Sequence, residues 1–179
     1  MATVAVSDLV SRAREGDEGA WHDLVDRYLG MVHAICRAFR LGADDAADVN
    51  QVVWLRLVEH LGRIRSPDAV GGWIAATTRN ECLRVLRTSG RFVVADDLVL
   101  DHLDVRDMGI DAGLLVYERD RALLAAFSRL GERCQCLLRL LMADPAPSYD
   151  EIAAALDMPV GSIGPTRGRC LEQLRHLLG

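Results

Sequence analysis

Ser148-Tyr149-Asp150-Glu151-Ile152-Ala153-Ala154-Ala155-Leu156-Asp157-Met158-Pro159-Val160-Gly161-Ser162-Ile163 is the stretch on which the fold turns. Ser148 followed three residues later by Glu151 spells a capping box: the hydroxyl accepts from the Glu151 amide while the carboxylate reaches back to the Ser148 amide. The pattern predicts a helix over Tyr149–Leu156, a turn at Asp157–Gly161 and a last helix running to Leu178. Two short helices joined by a tight turn, the second carrying arginines, form a helix-turn-helix pattern. The second helix starts at Ser162 or Gly164, since Pro165 is tolerated only in a first turn. Gly164 and Gly168 each weaken it by about 1 kcal/mol relative to alanine.

Working outward, the rest of the chain also reads as helix. Upstream of the break Asp144-Pro145-Ala146-Pro147, shorter pieces are predicted at Arg121–Ser128 and Glu132–Met142. Residues 1–88 carry four. Ser7 caps a first helix that ends at Gly16. Asp17 caps a second, whose Trp21, Leu24, Val25, Tyr28, Val32, Ile35 and Phe39 recur at spacings of three and four; Gly42 stops it. Asp44 or Asp45 opens a third, with the stripe Val49, Val53, Leu57 and Leu61, ended by Gly62. After the breaker Ser66-Pro67, a fourth runs from Val70 to Leu86. No alternating strand pattern competes, so the fold class is all-α.

The chain has 179 residues and a net charge of −5, and its 21 basic residues are all arginine. Such an acidic total argues against a nucleic-acid partner, which wants a positive surface. The charge is uneven, however. Residues 1–88 sum to −1, residues 89–120 to −5 and residues 121–179 to +1. The acidity therefore belongs to the middle, with Asp96, Asp97, Asp101, Asp104, Asp107 and Asp111. The expected organisation is two helical domains, 1–88 and 121–179, around an acidic linker, 89–120.

Other classes are excluded. Half of the residues are hydrophobic, too many for wholesale disorder. No apolar run reaches a bilayer-spanning length, and the N-terminus lacks a secretory leader, so a soluble cytoplasmic protein without membrane insertion is expected. Five cysteines without a leader point to reduced thiols. Cys134-Gln135-Cys136 and His33/Cys36 lack the spacing of a zinc site, so neither metal nor cofactor is expected. Cys36, Cys82 and Cys170 read as small core residues. No nucleophile elbow, phosphate loop or catalytic acid pair is present, so the chain does not read as an enzyme.

Three stretches together resemble the extracytoplasmic-function (ECF) sigma factors of bacterial RNA polymerase, in sigma-70 family order. Asp45-Ala46-Ala47-Asp48-Val49-Asn50-Gln51-Val52-Val53-Trp54-Leu55-Arg56-Leu57 is similar to the family's clamp-docking helix. Gly72-Trp73-Ile74-Ala75-Ala76-Thr77-Thr78-Arg79-Asn80 is similar to its helix at the promoter −10 element. The quoted 148–163 stretch is similar to its region 4 helix-turn-helix. The resemblance covers about residues 7–88 and 121–179. It implies region 2 in 1–88, region 4 in 121–179, and as partners core RNA polymerase, promoter DNA and an anti-sigma factor.

The resemblance places Asp48, Gln51 and Trp54 at the polymerase. Asp45, Asp48 and Gln51 recur at spacings of three, off the apolar stripe, and an acidic, amide-bearing face suits an arginine-rich partner; first-turn acids also complement the helix dipole. Val52 stands where the family often has Glu. The −10 residues are Arg63, Arg65, Trp73, Arg79, Asn80, Arg84 and Arg87, a set that joins a stacking ring and a base-reading amide to a cationic track. Trp73 reads equally as a core residue, and Arg84 and Arg87 as solvated cations at a helix end. The −35 residues are Ser162, Thr166, Arg167 and Arg169. Only Arg169 matches the family's contact positions cleanly, so the helix N-terminus, whose amides favour phosphate, is expected to share the work. The acidic linker reads as a nucleic-acid mimic in the polymerase cleft, as a self-repelling spacer, or as a mask for the protein's own arginines. The alternative function is a stand-alone helix-turn-helix regulator with a helical effector or dimerisation domain; a helical interaction protein without DNA binding is a third.

Overall fold

The computed structural model describes residues 4–64, 66–89 and 114–179, and of residues 114–120 the backbone alone. Among the described residues there are eight α-helices: α1 (Val6–Arg14), α2 (Glu18–Ala38), α3 (Ala43–His60), α4 (Val70–Thr88), α5 (Leu114–Ser128), α6 (Glu132–Leu141), α7 (Tyr149–Leu156) and α8 (Ile163–Leu178). Among the described residues there is no strand. The acidic stretch 90–113 and Arg65 lie outside them.

In the N-terminal half, α2, α3 and α4 pack together, with α1 laid on α2. Of the predicted stripes, Leu24, Val32 and Ile35 of α2 and Val49, Val53 and Leu57 of α3 are buried, and α4 adds Val70 and Ile74. Each such side chain contributes about 1.5–3 kcal/mol by leaving water. Asp17 caps α2 by accepting from the Ala20 amide at 3.0 Å. That bond, and then the Arg12 guanidinium, hold its carboxyl below the usual carboxylate range.

The boundaries depart from expectation in instructive places. α1 starts at Val6 after Ala5, with no side-chain cap; Ser7 instead lends its carbonyl to the Ser11 hydroxyl. α2 stops at Ala38, and Arg40 rather than Gly42 takes the left-handed turn, at φ 58°. Gly42 becomes the residue before α3, which also has no side-chain cap, so neither Asp44 nor Asp45 opens it by capping. α5 begins at Leu114, seven residues ahead of the expected Arg121.

In the C-terminal half, the capping box is present as spelled: the Ser148 amide donates to the Glu151 carboxylate at 2.7 Å and the Glu151 amide to the Ser148 hydroxyl at 3.3 Å. Asp157 closes α7 in the left-handed conformation, φ 52°, which turns the chain toward α8. α8 starts at Ile163, so Pro165 falls in its first turn, where a missing amide costs nothing. Leu137, Leu140, Ile152, Ile163 and Cys170 are fully buried between these helices.

The expectation of reduced thiols and of Cys170 as a plain core residue is corrected here. Cys134 on α6 and Cys170 on α8 form a disulfide, their Cα atoms 5.4 Å apart although 36 residues separate them. The packing of α6 against α8 sets that distance, and nothing local in the sequence announces it. Cys36, Cys82 and Cys136 remain free. Burial pushes the Cys136 thiol up to about 11, so it stays protonated and unreactive at neutral pH.

Candidate polymerase and promoter interface

α3 buries one face and presents another. With Val49, Val53 and Leu57 turned inward, Asp48 and Gln51 stand exposed, as the spacing predicted. Leu55 and Val58 continue their ridge at steps of four and three, and each is 60% exposed. They add an exposed apolar pair to the acidic, amide-bearing face. They lie off the predicted stripe Val49/Val53/Leu57/Leu61, and the sequence reading gives them no role. Trp54 is half-buried instead, and its indole N–H donates to Asn50 Oδ1 at 2.8 Å.

Between α3 and α4 the chain turns through two short 3-10 segments, Leu61–Arg63 and Pro67–Ala69. Together with α4 they line a cavity of about 260 Å3 made by His60, Arg63, Ile64, Ala69 and Trp73. The Trp73 ring stacks on His60, centroids 5.9 Å apart. Arg14, at the end of α1, holds this loop from behind: its guanidinium donates to the Leu61 carbonyl at 3.0 Å and to the Ile64 carbonyl. Nothing in the sequence linked Arg14 to residues about fifty positions on.

Beyond the cavity α4 presents Asn80, Arg84 and Arg87, all exposed and all on one face. Arg79 is less open; it donates to Asn80 Oδ1 at 3.1 Å and pairs with Asp157 of α7 at 3.4 Å. Arg84 is held by Glu81, whose side chain is only 3% exposed and which also binds Arg56 of α3, at 2.7 and 2.8 Å respectively. One buried carboxylate thus ties the two functional helices together. Glu81 and Arg84 at positions i and i+3 were the visible hint; the Arg56 arm was not.

On α8, Thr166, Arg167 and Arg169 lie on the accessible side, and Arg169 donates to the Thr166 hydroxyl at 3.2 Å. Ser162 turns its hydroxyl back to the Pro159 carbonyl at 2.6 Å, closing the turn before the helix. Its backbone amide donates to the same carbonyl, at 2.9 Å, so Ser162 serves the turn with both groups. The three groups of site residues therefore occupy three separate surfaces: the α3 ridge, the cavity with the α4 face, and the start of α8.

An all-helical chain with an exposed acidic and apolar ridge on α3, a ring-lined cavity on α4 and a helix-turn-helix has the parts expected of a promoter-recognising initiation protein. Residues 24–92 match the family model for Sigma-70 region 2. The chain is 23% identical over 176 residues to an ECF RNA polymerase sigma-E factor of Haemophilus influenzae, covering 94% of this chain and 92% of that one. It is 25% identical over 163 residues to an ECF RNA polymerase sigma-E factor of Escherichia coli strain K12, covering 87% and 84%. The structure of CnrH in complex with the cytosolic domain of CnrY shares the fold, with a TM-score of 0.64 at 22% identity, over 98% of this chain and 97% of that one. These findings support an RNA polymerase sigma factor of the sigma-70 family's extracytoplasmic-function group, a class of non-enzymatic transcription initiation factors. Among the described residues no helix is long and apolar enough to cross a membrane.

Proposed function

We propose that residues 1–88 act as region 2 and residues 121–179, with α5 extending back to Leu114, as region 4, working in the cytoplasm on core polymerase and promoter DNA. The α3 ridge of Asp48, Gln51, Leu55 and Val58 docks on the polymerase, with Trp54 bracing it from behind. Arg63, Arg65 and Trp73 receive a −10 base, while Asn80 reads and Arg79, Arg84 and Arg87 hold phosphate. Thr166, Arg167 and Arg169 take the −35 element, with Ser162 closing the turn that sets the start of α8. The observation that carries this reading is the Trp73 cavity, because it opens at the junction of α3 and α4, the two helices that carry the ridge and the arginine face. A single-stranded base needs a ring to stack on and a cationic track for its backbone. An anti-sigma partner is supported by the resemblance of the fold to CnrH, which was solved with a bound protein domain.

Capture of a single-stranded −10 oligonucleotide by the complex with core polymerase tests the cavity. Trp73→Ala is expected to weaken it roughly 5- to 150-fold, the size of one base–aromatic stack, with Trp73→Tyr retaining most of it. Core binding stays unchanged in both. Capture unaffected by Trp73→Ala would remove the cavity from the mechanism.

A further inference from the structure

One wall of the Trp73 cavity is a turn that does little to hold itself. Arg63 and Ile64 line it, at the end of the short 3-10 segment Leu61–Arg63. The N-cap side chains of this segment and of the next, Pro67–Ala69, make no capping hydrogen bond. Gly62 and Arg63 are exposed, and among the described residues nothing lies within 4 Å of where a Gly62 Cβ would stand. Glycine brings backbone freedom and no side chain to pack. Such a turn keeps one shape only if a group outside it supplies the hold.

Arg14 is that group. Its Nε donates to the Leu61 carbonyl at 3.0 Å and its Nη2 to the Ile64 carbonyl, 47 and 50 residues further along the chain. The two carbonyls bracket Gly62 and Arg63. A planar guanidinium holds its donors at a fixed separation, so it fixes the separation of the two acceptors, which a single ammonium does not. Arg14 is itself anchored. It ends α1, whose Leu9 and Val10 are buried, and α1 packs beside both 3-10 segments. In the corner that follows, Arg12 donates to the Asp17 carboxylate at 2.7 and 2.9 Å, and the Asp17 amide donates to the Arg12 carbonyl at 3.1 Å. Asp17 in turn caps α2. The clamp is thus tied to the core of the N-terminal half.

We infer that Arg14 is a positioning residue for base selection at the −10 element: by clamping the Leu61 and Ile64 carbonyls it holds the Arg63/Ile64 wall in the shape that discriminates among bases stacked on Trp73. This rests on the role given to the cavity above. Stacking by itself accepts any base, because every base has a π-face. Choice comes from groups at the edge of the base, and these discriminate only when they are held in place. Arg14 touches the loop and not the base. An arginine that instead gripped a DNA phosphate would behave differently: lysine would replace it, all sequences would gain equally, and its loss would lower the salt slope of binding by about one.

The test uses the full chain in complex with core polymerase, as the parent protein and as Arg14→Lys and Arg14→Gln. The probes are single-stranded oligonucleotides built on the −10 sequence that the parent selects, with each position changed in turn to all four bases. The quantity read is the affinity ratio between the preferred base and its best competitor. A ratio is taken within one protein, so a smaller folded fraction lowers both terms alike and leaves it unmoved. The cavity position is the one at which an abasic nucleotide abolishes the effect of Trp73→Ala. At that position the ratio is expected to fall at least about fivefold in both variants, with the other positions and the salt slope as in the parent. Discrimination retained in both variants overturns the proposal, as does discrimination lost with Gln but kept with Lys, or a parent with no preference at that position. If Arg14→Gln does not fold, Arg14→Lys decides alone. Capture indifferent to Trp73→Ala overturns the cavity reading and the clamp with it. Capture that needs Trp73 but keeps its base preference in the Arg14 variants overturns the clamp alone.

Discussion

Replacing Arg56 and Arg84 together by leucine is expected to cost the fold about 3–5 kcal/mol, because it strands the Glu81 carboxylate in the protein interior. Glu81 is 2% exposed, and its two oxygens are each taken by one guanidinium. The cost follows from asymmetry. Either arginine alone still answers the charge, so single replacements are mild; removing both leaves it unanswered. Adding Glu81→Met to the pair restores most of the loss, since an apolar side chain of similar size packs where the charge was. Thermal melts followed by circular dichroism check this, with the double variant falling by roughly 10 °C at the 2–4 °C per kcal/mol typical of this chain length. A double variant that melts with the parent would mean that Glu81 reaches water or another partner. The same cluster bears on function: because Glu81 offsets half of the Arg56/Arg84 charge, Arg84 offers DNA a guanidinium of fixed direction rather than a free cation.

The second large effect is expected from reduction. Breaking the Cys134–Cys170 bridge releases a loop spanning 36 residues, which loop-closure entropy values at about 4 kcal/mol. The loss falls on α8, whose two glycines already weaken it and whose first turn carries Thr166 and Arg167. Melting with and without a phosphine reductant is expected to differ by on the order of 10 °C, and Cys134→Ser is expected to show the lower value in both conditions. Cys136 does not substitute for the bridge, since its buried thiol stays protonated at neutral pH. Equal melting of the parent in both conditions would show that the bridge adds nothing.

These two features mark the boundary of what could be read from the sequence. Helix positions were legible, because stripes such as Val49/Val53/Leu57 and the Ser148/Glu151 box are local patterns with a local cause. So were the exposure of Asp48 and Gln51 and the turn at Asp157. What escaped depends on helices meeting across long separations: the Cys134–Cys170 pairing, the reach of Arg14 to the Leu61 and Ile64 carbonyls, and the Arg56 arm of the Glu81 cluster. Leu55 and Val58 escaped for a different reason: the helical stripe Val49/Val53/Leu57 drew the reading inward, and apolar residues off that stripe carry no pattern of their own. Arg40 takes a left-handed turn beside an available Gly42, with packing at the end of α2 overriding intrinsic preference.

The net charge of −5 also takes on a definite meaning. Its five units can be assigned to residues 89–120, and the two halves that carry the site are close to neutral.

The most direct measurement is transcription by sigma-free core polymerase on a library of random upstream sequences, with transcript 5′ ends read by sequencing. Addition of this protein is predicted to produce transcripts from a discrete set of templates sharing one −10 and one −35 sequence, with none in its absence. No transcript from any template, together with no binding to core polymerase, would contradict the account.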